Sequence, residues 1–259
     1  GCDVFAGLDS LQEATSGLTP DPDPELTVMA TDAPNAINYR EPDGGASDLD
    51  GDGTDEDIGL VSVDDFTALE FTNKSNLRID GLAGSDFFYV DHGGDPDGLD
   101  DVTIAGGGRR AGEQDHLIVQ AAESSDVIYT SARRNDDPAQ PPGQVTIEKV
   151  LTAPSLLVAR DMDSIHIEGQ GQNTTMDVEI AAETRDDKQF VHFFPGLATD
   201  SGTIQILEES LADPVEHVPL TFANFGEGPT VDLSTGGEQD QLIYHGTEGM
   251  DAFLVEETG

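Results

Sequence analysis

The chain contains no tryptophan and a single cysteine, and its basic residues are scarce. Because Cys2 has no second cysteine to pair with, an intramolecular disulfide framework is excluded. No segment is long and apolar enough to span a bilayer, so membrane insertion is not expected. The motifs of nucleotide-binding loops and serine-hydrolase elbows are missing as well. Carboxylate pairs are too frequent to single out a catalytic dyad, so the sequence does not predict an enzyme.

The shortage of basic residues leaves a formal net charge of −42 at pH 7. Nucleic acid and anionic membranes are not expected as partners, because both are bound by basic surfaces. Two explanations of the charge stay open. Clustered carboxylates attract Ca²⁺, whereas a surface adapted to high salt needs no specific metal site. The rarity of lysine, found only at Lys74, Lys149 and Lys188, suits the second explanation.

One stretch of the chain occurs twice. Residues 237–255 repeat residues 112–130, with eight of 19 aligned positions identical, and both copies begin with Gly-Glu-Gln-Asp. A weaker third copy is predicted at residues 26–37, from the apolar spacing of Leu26 and Val28 followed by Asn35 and Ile37. Internal repetition indicates a fold built by stacking similar units.

Apolar and polar residues alternate with a period of two along most of the chain, which predicts β-strands with one buried face. The predicted fold class is all-β. An irregular β-solenoid, either a parallel β-helix or a β-roll, is the expected architecture, with repeated β-sandwich units as the alternative. Residues 1–25 are expected to form an N-terminal arm and a Pro-rich linker. The repeat-containing domain spans 26–259, in blocks at roughly 60–135 and 144–255.

Two turns share a glycine pattern with a known family. Residues 81–88 and 246–253 both read G-x-x-G-x-D-x-F, which resembles a degenerate hemolysin-type (RTX) calcium repeat of acidic bacterial surface proteins. The resemblance implies an extracellular repeat module that binds Ca²⁺ through turn aspartates. The aspartates at these turns and in the two repeat copies are then candidate metal ligands, although turn capping explains them equally well. They are Asp86, Asp115, Asp240 and Asp251.

A sharper metal motif lies in residues 48–58. Asp48, Asp50 and Asp52 occupy alternate positions and Gly53 follows them, so the carboxylates can converge on one Ca²⁺ with the Thr54 carbonyl as a further ligand. The pattern resembles the D-x-D-x-D-G loops of EF-hand and FG-GAP repeats. Position 12 of an EF-hand, normally Glu, is glycine here. The expected closing ligands are therefore Glu56 or Asp57.

These observations predict a secreted or cell-surface protein that binds Ca²⁺ and has a structural role. A self-assembling surface-layer, filament or adhesin component is expected, or a segment that packs against neighbouring repeats of a larger protein. Two alternatives stay open. One is a calcium-dependent polysaccharide lyase or carbohydrate-binding β-helix, with Arg109, Arg133 and Arg160 as its candidate cations. The other is a halophilic surface protein without specific calcium sites.

Overall fold

A computed structural model describes the residue ranges on which the fold rests. They are 25–40, 58–92, 98–108, 112–121, 127–131, 144–149, 156–170, 175–180, 188–209, 215–226, 230–234 and 240–247. Within them every regular element is a strand, so the prediction of an all-β fold is confirmed. The same residues include no helix long and apolar enough to cross a membrane.

The strands form two large sheets, which we call sheet A and sheet B. In spatial order, sheet A consists of β1 (Glu25–Met29), β5 (Asn76–Asp80), β7 (Asp101–Ala105), β11 (Leu156–Arg160), β10 (Gln144–Lys149), β9 (Val127–Ser131), β13 (Thr175–Ile180) and β18 (Thr230–Ser234). Apolar residues alternate with polar ones along most of these strands, because only one face of the sheet packs inward.

Sheet B follows the same pattern. In spatial order it consists of β19 (Gln241–Tyr244), β14 (Gln189–Pro195), β15 (Gly202–Glu208), β17 (Leu220–Ala223), β12 (Ser164–Glu168), β8 (His116–Ala121), β6 (Phe87–His92), β2 (Ala36–Arg40), β3 (Gly59–Val63) and β4 (Leu69–Phe71). The short β16 (Val215–Glu216) pairs with β15.

Along much of the chain a strand of sheet A is followed directly by a strand of sheet B. The pairs are β1–β2, β5–β6, β7–β8 and β11–β12, and each strand lies parallel to and in register with the equivalent strand of the neighbouring pair. Equivalent side chains therefore stack in columns: Leu77, Val102 and Leu157 form one column of sheet A. Because the register is shared, residues at the same position of successive pairs have equivalent surroundings.

Antiparallel strands interrupt this parallel arrangement in three places. Strands β3 and β4 extend one edge of sheet B, β9 and β10 are inserted in sheet A, and β14 to β17 contain antiparallel pairs. The block boundary expected at 135–143 falls between β9 and β10. These two strands pair with each other, so both blocks contribute to one sheet.

The inward faces of both sheets share one hydrophobic core. Val102, Ile104 and Leu157 of sheet A and Ile165 and Ile167 of sheet B are completely buried. Burying a side chain of this size contributes about 1.5–3 kcal/mol relative to leaving it in water. The core therefore runs between the sheets and leaves the polar positions of each strand on the outer faces.

Candidate functional site

Only part of the predicted calcium ligands lies within the described residues. The loop with Asp48, Asp50, Asp52, Thr54, Glu56 and Asp57 lies outside them, and so does Asp251. Asp86, Asp115 and Asp240 are described, and each is the residue directly before a strand of sheet B. Their surroundings therefore show what three of the predicted ligands do in the fold.

Four residues that precede strands of sheet B form a ladder of hydrogen bonds, which we call the Asx ladder: Asn35, Asp86, Asp115 and Asp163. Oδ1 of Asp86 accepts the backbone N–H of Asn35 at 2.8 Å. Oδ1 of Asp115 accepts that of Asp86 at 2.9 Å, and Oδ2 of Asp163 accepts that of Asp115 at 2.8 Å. All four residues are buried. Bonds from an N–H to a carboxylate are stronger than neutral ones, so the ladder ties successive strands together.

Asn35 ends the ladder on the side of β3. Its Oδ1 accepts hydrogen bonds from the backbone N–H and the hydroxyl of Thr31, both at 3.0 Å, and its Nδ2 donates to Asp64 at 2.7 Å. The other oxygen of Asp64 accepts the N–H of Ala36 at 2.7 Å. At the opposite end, the position ahead of β17 that is equivalent to Asp163 is the buried apolar Val218. The ladder therefore spans β2, β6, β8 and β12.

The predicted glycine motif has a role in this ladder. A Cβ on Gly81 would lie 2.6 Å from Oδ2 of Asp86 and 2.7 Å from the carbonyl oxygen of Gly106. Gly106 repeats the arrangement, since its Cβ would lie 2.6 Å from Oδ2 of Asp115 and 2.7 Å from the carbonyl oxygen of Asp161. A side chain at either position would collide with the aspartate and with the next strand's backbone. The first glycine of the motif thus makes room for the inward aspartate.

Asp86 has an unusual environment within the ladder. Its Oδ2 atom is buried and has no hydrogen-bond partner among the described residues. The pKa of Asp86 is raised to about 6, chiefly because burial disfavours the charged carboxylate. The N–H of Asn35 opposes the shift, while the negative charges of Asp115, Glu113 and Asp64 add to it. Asp86 therefore takes up a proton as the pH falls through about 6.

The second copy of the repeat makes the same contact as the first. Oδ1 of Asp240 accepts the backbone N–H of Gln189 at 2.9 Å, as Asp115 accepts that of Asp86. The register agrees, because Gln241 pairs with Phe190 in the way that His116 pairs with Phe87. The sequence repeat therefore corresponds to a structural repeat, with β8 in the interior of sheet B and β19 at its edge.

The surroundings of the aspartates provide no complete metal site in the part of the chain that is described. No three or more His, Cys, Asp or Glu side chains lie together there in a group that could hold a metal ion. Hydrogen bonds to backbone N–H groups occupy one oxygen each of Asp86, Asp115 and Asp240. Calcium binding by these aspartates remains a prediction, and their observed role is to accept hydrogen bonds between strands.

Sequence reasoning missed Asn35 and Asp163 as equivalents of Asp86 and Asp115. A signal for them exists, because each ladder residue is Asn or Asp followed by an x-apolar-x-apolar strand. The four segments read NAINY, DFFYV, DHLIV and DSIHI from residues 35, 86, 115 and 163, and DQLIY from residue 240 has the same form. The pattern combines an acceptor at a strand start with the period-two alternation of the strand.

The outer face of sheet B carries a connected group of polar side chains. The Nδ1 atom of His166 lies 2.8 Å from the Thr221 hydroxyl, and its Nε2 lies 2.8 Å from a carboxylate oxygen of Glu168. Asn224 donates to the other oxygen of Glu168, and on neighbouring strands the Tyr89 hydroxyl donates to Gln120. These bonds hold the side chains in fixed orientations across the middle of the sheet.

Histidines and aromatic rings continue along the same face. The ring of His116 lies 4.8 Å from that of Phe87 and its Nδ1 is 2.7 Å from the Ser164 hydroxyl. Near the β19 edge, Nδ1 of His192 and Nε2 of His245 are 2.8 Å apart. Their ring centroids are 5.1 Å apart. The two nitrogens thus point at each other along the line between the rings, which fits one shared N–H···N bond.

A further polar group lies inside the core, where sheet A meets sheet B. The Ser131 hydroxyl is 3.1 Å from Nδ1 of His217, and Nε2 of His217 is 3.6 Å from a carboxylate oxygen of Glu208. The order Ser, His, Glu is that of a nucleophilic triad, but the imidazole is reversed, because in a triad Nε2 faces the hydroxyl and Nδ1 faces the carboxylate. Ser131 is also 0% exposed and His217 only 1%. The group joins β9 to β15 through polar contacts.

Of the arginines proposed for a lyase, only Arg160 is described. It lies at the end of β11 on the outer face of sheet A, and its guanidinium donates to Gln144 at 3.2 Å. Arg109 and Arg133 lie outside the described residues. Only Arg160 can therefore be placed, and the lyase alternative stays a prediction.

Comparison with known proteins yields no relative: no family model, no curated protein and no solved structure matches the chain.

Proposed function

We propose that the protein is a structural module of an extracellular assembly, folded as an irregular β-solenoid and stabilised by Ca²⁺. The observation that carries this proposal is the Asx ladder. It connects four consecutive strands of sheet B through buried bonds, and the strands of sheet A pair in the same order on the other side of the core. Each A–B strand pair then acts as one coil of a stack.

The buried polar residues of this stack favour a scaffold. Burial of a carboxylate is costly unless hydrogen bonds compensate it. The chain nevertheless buries Asp86, Asp115 and Asp163 at equivalent turns of successive coils, where they bond neighbouring coils to each other. Gly81 and Gly106 are fitted to the same purpose. These buried aspartates and glycines stabilise a repeated backbone arrangement, which is the property of a scaffold.

The ends of the stack supply the contacts for assembly. Among the described strands, β1 and β18 are the outermost of sheet A, and β19 and β4 are the outermost of sheet B. On β19 the core-facing Leu242 and Tyr244 are 63% and 40% exposed. Edge strands with unpaired backbone groups and apolar side chains add further strands readily. The proposed partner at these ends is another copy or a neighbouring repeat of a larger protein.

Calcium enters the proposal through the loop at residues 48–57 and the net charge of −42. Bound cations lower the repulsion within such a chain and between copies of it. A ligand that binds only the folded state stabilises it in proportion to RT ln(1 + [L]/Kd). We therefore expect millimolar CaCl₂ to raise the melting temperature. KCl of equal ionic strength should raise it much less.

The matched experiment compares two acidic clusters. Replacing Asp48, Asp50 and Asp52 by Asn together is expected to abolish the calcium-specific gain in melting temperature. The same triple replacement at Asp95, Asp97 and Asp100, which lack regular ligand spacing, is expected to preserve it. Equal gains with KCl and CaCl₂ in the unmodified chain would contradict the calcium proposal and favour the halophilic alternative.

A further inference from the structure

The outer faces of the two sheets differ in charge: on the described strands sheet A carries seven carboxylates with Arg78 and Arg160, and sheet B carries four with Arg40. The carboxylates on the described outer face of sheet A are Glu25, Asp80, Asp101, Glu148, Asp177, Glu179 and Asp232. Those on the outer face of sheet B are Glu70, Asp91, Glu168 and Glu216, the last of which lies opposite the outward Leu207. Glu168 is bonded to His166 and Asn224, so its charge is partly compensated. In a chain of net charge −42, sheet B thus presents the less charged of the two outer faces.

Aromatic and aliphatic side chains occupy the positions that charges leave free on sheet B. They alternate with the core residues of their strands and are half-buried or exposed: Leu60, Phe87, Tyr89, Ile118, Phe190, Phe194, Leu207 and Ile243. Phe87 is 52% exposed. No aromatic side chain stands on the outer face of the described strands of sheet A. Extended patches of this composition mark interaction surfaces.

The face is large enough for a stable contact. Ten strands lie on its main path. At about 4.8 Å between strands and about 3.3 Å per residue, a face five residues deep covers roughly 43 by 16 Å, or about 700 Å². A standard protein interface buries about 800 Å² on each partner. The outer face of sheet B therefore matches the area that one partner contributes to a specific dimer.

We propose that the outer face of sheet B binds the same face of a second copy of this chain, which rests on the structural role proposed above and names a lateral contact for it. Charge selects this occupant: two copies of such an acidic chain repel each other, and the repulsion is weakest where each presents its least charged face. A two-fold contact also needs a self-complementary patch, which a surface of low charge with aromatic and aliphatic side chains provides. Sheets packed face to face lie about 10 Å apart with interdigitated side chains.

Lateral pairing is separate from assembly through the ends of the stack. A two-fold contact closes on itself and stops at two copies, whereas contacts between opposite ends continue into a chain. Loss of the lateral contact would leave end-to-end assembly intact, and loss of end-to-end assembly would leave a dimer. The two proposals can therefore fail independently.

Sedimentation velocity on the full chain, from micromolar to submillimolar concentration, tests the lateral contact. The unmodified protein is expected to form a dimer. Ile118→Glu places a charge at the middle of β8 on the proposed interface, and it should weaken dimerisation at least about tenfold, because two like charges would be buried at the contact. Thr103→Glu makes the matched change at the middle of β7 on the outer face of sheet A and should leave the dimer unchanged.

Circular dichroism and thermal unfolding of both variants show whether they keep the fold. Two results would overturn the proposal. One is that the unmodified protein sediments as a monomer at every concentration, even if that face binds another partner. The other is equal dissociation of the dimer by both substitutions while both variants remain folded.

Discussion

The two copies of the Gly-Glu-Gln-Asp repeat have similar sequences but different positions in the stack. Asp115 and Asp240 each accept a backbone N–H from the neighbouring strand, at 2.9 Å in both copies. Yet Leu117, which follows Asp115, is 1% exposed, whereas its counterpart Leu242 is 63% exposed. The first copy lies in the interior of sheet B and the second at its edge. The stabilisation that a repeat provides therefore depends on its neighbours more than on its own residues.

The apolar residue of each copy gives the largest expected contrast. Leu117→Ala should lower the free energy of unfolding by about 2–5 kcal/mol, because it removes a buried side chain and leaves a cavity between the sheets. Leu242→Ala should cost less than about 1 kcal/mol, since most of that side chain is already in water. Urea unfolding monitored by circular dichroism measures both. Equal losses would mean that β19 is buried as deeply as β8.

Protonation provides the second contrast, because the N–H that the first copy accepts belongs to Asp86, whereas the N–H that the second copy accepts belongs to the uncharged Gln189. The folded state raises the pKa of Asp86 from its ordinary value of 3.8 to about 6, so it binds the proton more tightly than the unfolded chain does. The stability from this proton is fully present below pH 3.8 and is lost as the pH rises through about 6. At about 1.4 kcal/mol per unit of pKa, the loss is roughly 3 kcal/mol.

Asp86→Asn isolates this contribution from the many other carboxylates. The variant keeps an oxygen to accept the N–H of Asn35 and removes the titrating group. The difference in unfolding free energy between the two proteins, measured by urea titration from pH 4 to pH 7.5, should shift in favour of the variant as the pH rises. A difference that does not change with pH would contradict a raised pKa for Asp86.

The hydrogen bond of each copy gives the smallest contrast. Asp115→Ala leaves the buried N–H of Asp86 without its acceptor and should cost about 1–3 kcal/mol. Asp240→Ala should cost less than about 1 kcal/mol, because Asp240 is only half-buried and water can replace it. Asp115→Asn serves as the control, since it keeps the acceptor and should restore most of the stability. If the Asn variant is as unstable as the Ala variant, the carboxylate does more than accept that bond.

Much of the fold was predictable from the alternation of apolar and polar residues. The strands from Leu60 to Val90 and the turn aspartates at Asp86 and Asp115 follow from period-two patterning and turn chemistry. Which sheet each copy of the repeat belongs to could not be predicted in this way. The third copy predicted at residues 26–37 makes Leu26 the counterpart of Leu117, but Leu26 lies on β1 of sheet A and Leu117 on β8 of sheet B. Both sheets have the same alternation, so a single strand does not reveal its sheet.

The ladder and the outer face of sheet B depend on contacts between strands that are distant in sequence. Asp86 and Asp115 are 29 residues apart, and Asp115 and Asp163 are 48 apart. His166 and Thr221 are 55 apart. Local propensity carries no information about which strands become neighbours, particularly where antiparallel strands such as β9 and β10 are inserted. Only the register of the assembled sheets brings these side chains together.

Backbone hydrogen exchange tests most directly whether the Asx ladder holds the stack together. The N–H of Asp86 donates to buried Asp115, and the N–H of Gln189 donates to Asp240 next to the edge strand. Exchange of the Asp86 N–H is expected only through global unfolding, whereas that of Gln189 should proceed through local opening and be faster by orders of magnitude. Exchange of the Asp86 N–H as fast as that of Gln189 would contradict the ladder as the element that stabilises the stack.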